Sequence, residues 1–72
     1  MNTMNTTVRD IPAYVMDPAY KMTHIIAGRC NDGSLQFRQC FKSKGAAVAR
    51  MKKAMERYPD VEFQIFPINE LN

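Results

Sequence analysis

Asn31-Asp32-Gly33-Ser34 leaves little freedom in the middle of this chain, because Asp-Gly supplies the positive φ angles of a tight hairpin turn. The flanking segments, residues 22–30 and 35–42, are rich in apolar, β-branched and aromatic side chains and long enough to be strands. A turn at Asp32-Gly33 pairs Cys30 with Leu35, Gly28 with Phe37, Ile26 with Gln39 and His24 with Phe41, and places these residues on one face. That face is expected to be the core side. The other carries Thr23, Ile25, Ala27, Arg29, Gln36, Arg38, Cys40 and Lys42 and is expected to meet water. Cys30 and Cys40 then point to opposite faces, which excludes a disulfide between them.

Ser43 is a good N-cap, and residues 44–58 read as a helix of strong formers closed by Pro59. At 3.6 residues per turn, Ala47, Met51, Ala54, Met55 and Tyr58, flanked by Val48, form the stripe expected to pack on the sheet. The two methionines fill gaps in a small core. Beyond it, Val61-Glu62-Phe63-Gln64-Ile65 alternates as a half-buried strand does, with Pro67 ending it or marking an edge. Upstream, residues 11–16 form a further candidate strand, which Pro12 restricts to an edge or a bulge. With that strand, a right-handed crossover lays the last strand parallel beside the first.

The predicted fold is therefore a small two-layer α+β domain, ββαβ or βββαβ. A chain of 72 residues holds one such domain, residues 8–72, behind a flexible N-terminus of residues 1–7. Apolar runs such as Ile25-Ile26-Ala27 fall far short of the roughly 20 residues of a membrane helix. The N-terminus has no signal-peptide pattern, so a cytoplasmic protein without a membrane partner is expected.

A net charge of +3 conceals an uneven distribution. Residues 38–57 hold seven basic side chains against Glu56 alone, whereas residues 58–72 carry Asp60, Glu62 and Glu70 and no base. Arg50, Lys53 and Arg57 share one stripe of the helix. With Lys42 and Lys44 at the helix entrance and Arg38 on the hairpin, they form a candidate surface for phosphates or acidic side chains. An ordinary solvated helix face explains the same charges.

Sharper chemistries lack their parts. His24 is the sole histidine and stands about 20 Å along the strand from Cys30, too far for a Cys-His nucleophile. Cys40 lies between Arg38 and Lys42, which favours the thiolate, but a spare surface cysteine is the simpler reading. One histidine and two separated cysteines do not supply four zinc ligands. The acids show no paired general acid/base spacing, and no phosphate-binding glycine loop or nucleophile elbow is present. The expectation is a protein that is no enzyme and needs no metal or cofactor. Tyr14, Tyr20 and Phe66 are read as packing with the N-terminal arm rather than as stacking platforms.

Lys42-Ser43-Lys44-Gly45-Ala46-Ala47, after a β-hairpin, resembles the strand-to-helix junction of double-stranded RNA-binding domains, where lysines at a helix start meet phosphates. The chain lacks that family's first helix and adds a terminal strand, so the resemblance implies no RNA specificity. In size, compactness and absence of catalytic motifs, the chain is also similar to small phage-encoded anti-defence proteins, including anti-CRISPR proteins. That resemblance implies an inhibitor of a host defence nucleoprotein complex, acting by occupying a partner's surface. The expected function is thus non-catalytic binding through Arg38, Lys42, Lys44, Arg50, Lys53 and Arg57 to an acidic protein surface or nucleic acid. The alternatives are a nucleic-acid-binding accessory protein and a structural homo-oligomer, such as a homodimer, formed through a sheet edge or Phe66.

Overall fold

A computed structural model describes residues 7–71. The frayed start expected for residues 1–7 lies outside the described residues except for Thr7, and Val8 already belongs to a strand. Four strands, β1 (Val8–Arg9), β2 (His24–Arg29), β3 (Leu35–Phe41) and β4 (Phe63–Pro67), form one mixed sheet in the order β1-β3-β2-β4. Helix α1 (Lys44–Arg57) connects β3 to β4. The α+β class and the element order βββαβ are as the sequence predicts.

The hairpin closes as its turn residues require. Gly33 adopts φ 87°, and the Asp32 carboxylate accepts from Ser34 N at 2.9 Å and Ser34 Oγ at 2.6 Å. Those bonds, the hydroxyl's first, hold Asp32 below the usual carboxylate range, with Arg9 adding a smaller attraction at 3.5 Å.

The first strand is not where the sequence suggests. Residues 11–16 do not extend; the chain coils into short 3-10 helices at Ala13–Met16 and Pro18–Tyr20. Pro12 has no N–H for a ladder, but its carbonyl accepts from Val15 N at 3.1 Å, and Asp17 caps the second coil by accepting from Ala19 N at 2.9 Å. The strand is Val8–Arg9, parallel to β3. Nor does the last strand lie parallel beside the first: β4 runs antiparallel to β2, so β2 sits between β3 and β4.

The hairpin register holds at His24↔Phe41 and Ile26↔Gln39, then slips by one residue. Beyond a β-bulge the pairs are Ala27↔Phe37, Gly28↔Gln36 and Arg29↔Leu35, leaving Arg38 without a partner. A bulge sets two residues against one and re-aims a side chain.

The buried residues correct the expected faces. Ile25 and Ala27, assigned to the water side, are 0% exposed. Their face is covered by the N-terminal arm, whose Val8 and Val15 join Ile25, Ala27 and Leu35 in one core, with Ile11, Phe37, Cys40, Phe66, Ile68 and Leu71 packed against it. Helix α1 lies over the other face. There Ile26 is 2% and Ala47 0% exposed, and Arg50 Nε donates to Gln39 Oε1 at 3.3 Å.

Ser43 caps α1 as expected, accepting from Ala46 N at 3.2 Å. Tyr58 lies just past its end, with its N–H on Ala54 O at 2.8 Å. The buried stripe is narrower than the periodicity suggests: Ala47 is enclosed and Met51 and Ala54 half-buried, while Met55 and Tyr58 are 49% and 51% exposed. Both cysteines are free. The Cys30 thiol donates to Gln36 Oε1 at 3.6 Å, and Cys40 Sγ lies 3.9 Å from Tyr14 Oη; hydrogen bonding of the phenol to this sulfur, and then the sulfur's negative charge as thiolate, raise the Tyr14 phenol above its ordinary pKa. His24 is half-buried, with Nδ1 at 2.8 Å from Thr23 Oγ1.

Two outcomes follow from this arrangement. Val15→Ala removes an enclosed side chain that seals the arm onto the sheet, so equilibrium urea unfolding should show a loss of about 2 kcal/mol; a loss near zero would mean that the arm does not contribute to the core. Ser34→Ala should move the Asp32 carboxyl titration upward toward its ordinary value, as followed by NMR. The sign for stability follows from the depressed folded-state pKa: the contribution is present above the usual carboxylate range and is lost as pH falls through the folded value.

Candidate functional site

The bulge, the helix and the loop after it line an open cavity of about 350 Å³ at one end of the helix-covered face. Ile26 and Phe63 from the sheet, Ala54 and Tyr58 from the helix segment, and Val61 from the connecting loop supply its apolar lining. Arg38, Gln39 and Arg50 supply its polar rim. Strict strand alternation would put Arg38 and Gln39 on opposite faces; the bulge lets both reach this cavity.

Each arginine is held by a distinct contact. Arg50 is tied to Gln39 through the 3.3 Å bond. Arg38 lies along the backbone at Gly28, where a β-carbon would stand 2.8 Å from its Nε and 3.4 Å from both its Nη2 and Val61 Cγ1. Glycine at this strand position therefore makes room for a guanidinium. The two ion pairs among the described residues are Arg9–Asp32 at 3.5 Å and Arg29–Glu62 at 3.4 Å, so neither cavity arginine has a carboxylate partner there. Both remain solvent-accessible, which spares them the cost of an unpaired buried charge.

Of the six basic residues singled out in the sequence, the structure brings Arg38 and Arg50 onto the cavity. Arg57 stands beside it, its Cζ 5.9 Å from the centroid of the lining Tyr58 ring. Lys53 is exposed on the same helical stripe, and Lys42 and Lys44 are exposed around the helix start, outside the lining. Arg38 departs from its expected place on the outer sheet face. Arg29, on that same face, is engaged by Gly33 O at 2.8 Å and by Glu62.

Sequence reasoning missed Gln39, Tyr58, Val61 and Phe63 as parts of a site, and Gly28 as its support. A glycine inside a strand was the available signal, since it marks close approach by another group. The lining holds no carboxylate, imidazole or thiol. Two forked donors over an apolar floor can hold a planar anion attached to an apolar group. Comparison with protein-family profiles, curated proteins and solved structures yields no match. Among the described residues, no helix is long and apolar enough to cross a membrane.

Gly28→Ala tests the cradle. The added methyl should displace the Arg38 guanidinium, shifting its Nε–H resonance while the amide spectrum of the arm-side core stays in place. An unchanged Arg38 resonance would show that the side chain does not rest on Gly28.

Proposed function

We propose that this chain is a non-catalytic binding protein whose arginine-rimmed cavity receives an acidic side chain from a partner protein, with Lys53 and Arg57 extending the contact along α1. The supporting observation is the convergence of Arg38 and Arg50, both without a carboxylate partner among the described residues, on an apolar pocket. Guanidinium pairs of this kind are characteristic anchors at protein interfaces. An apolar floor beneath them suits a protein side chain better than a phosphate backbone, which asks for a row of cations tracking a strand. Inhibition by surface occupation, as in the small phage anti-defence proteins that the chain resembles, is the biological role we attach to this binding.

Tagged protein should retain a stoichiometric acidic protein from nuclease-treated host lysate, and Arg38→Gln with Arg50→Gln should abolish retention while leaving the fold unchanged by circular dichroism. Each lost charged hydrogen bond corresponds to about 1.5–3 kcal/mol, or roughly ten- to a hundredfold in affinity. Loss of every partner on nuclease treatment would instead assign the surface to nucleic acid and overturn the protein reading.

A further inference from the structure

β1 covers β3 only at Leu35 and Gln36. It then leaves the edge for a local reason: Asp10 sits in the left-handed region at φ 63°, and its Oδ2 accepts from Gln36 Nε2 at 3.2 Å. The chain turns there and passes across the sheet face opposite α1. Along residues 37–41, no other strand among the described residues pairs with the outer side of β3. Phe41 directs its carbonyl inward, to Thr23 N at 2.8 Å, so strand alternation turns the amide and carbonyl of Cys40 outward. An edge of this kind is a template for another strand.

The two sides of that edge differ in chemistry. On the helix side stand Gln39 and the Arg50 it holds, while the Arg38 guanidinium lies inward of the edge, over Gly28 of β2. On the arm side, half-buried Cys40 lies against Tyr14, itself 44% exposed. The far edge of the sheet offers the reverse: β4 contains Pro67, which has no N–H to donate, and is flanked in sequence by Glu62 and Glu70. Because side chains of an added strand alternate between faces, a segment with carboxylates at every second position and apolar residues between them matches the β3 edge and is mismatched to β4.

We infer that β3 recruits an extended acidic peptide segment of the partner as a further strand along residues 37–41. Its carboxylates stand on the side of Gln39 and Arg50, and its apolar side chains face Tyr14 and Cys40. This rests on the acidic-protein reading above and assigns the conformation in which the partner binds.

The probe is the blocked peptide Ac-Val-Glu-Val-Glu-Val-NH2, titrated into the full-length ¹⁵N-labelled chain. The Cys40 amide and the Arg50 Nε–H resonance should shift together. Replacing both Glu by Gln in the peptide, or Arg50→Gln in the protein, should weaken binding by about tenfold or more. In an added strand only alternate amides face β3, so N-methylating the Glu amides and N-methylating the Val amides should differ in effect by about tenfold. Equal effects of the two methylations, with the Glu dependence intact, overturn strand addition alone. Binding indifferent both to Glu replacement and to Arg50→Gln overturns the acidic-partner reading with it. A dimer of the chain alone in sedimentation, abolished by Arg50→Gln, assigns the edge to a second copy and overturns the peptide assignment.

Discussion

Strand β2 is buried on both sides, and the one α-helix among the described residues can cover only one of them. Ile25 and Ala27 face one way and Ile26 the other, and all three are almost fully excluded from water. Enclosing each of the two isoleucines contributes about 1.5–3 kcal/mol, so leaving either face open would forfeit a large share of the stability of a small domain. The N-terminal arm meets that demand without regular structure. Its coils at Ala13–Met16 and Pro18–Tyr20 satisfy their backbone groups locally while setting Val15 into the sheet.

The same strand organises the charged surface. Antiparallel pairing with β3 on one side and β4 on the other fixes where Phe63 and Gln39 stand relative to Ile26, and these three meet beneath the helix. The slip between Ile26 and Ala27 then changes the electrostatics of the helix-covered face by adding Arg38 to it. Since both cavity arginines keep contact with solvent, their charge is maintained cheaply and remains available to an incoming anion.

Much of the fold was legible because it follows local rules. The Asp-Gly turn, the Ser43 cap, the 3.6-residue period of α1 and the alternation after Pro59 all act over a few residues, and each element formed within two or three positions of expectation. Long-range effects set the rest. A bulge leaves no mark in a strand that reads as continuous, and without it the faces of residues 35–38 are assigned to the wrong side. The apolar run Ile25-Ile26-Ala27 was the sign of a strand enclosed on both faces, but perfect hairpin alternation masked it. Pro12 correctly argued against a strand at residues 11–16, whereas nothing local indicated that Val8 would pair in parallel with Leu35. The basic segment was visible by count alone, yet only the tertiary structure separates Arg38 and Arg50 from the lysines that remain on open surface.

Because Arg38 reaches the cavity through the spacing of β3 and not through the ordinary alternation of a strand, the site depends on chain length as much as on residue type. Point replacements along β3 can tune the charge, size or polarity of the pocket while the ladder stays in register. Removing Phe37 would set Arg38 opposite Ala27, restore regular pairing and turn that arginine to the other face, dismantling the pair in a single step. Such a strand is open to gradual change by substitution and closed to change by insertion or deletion.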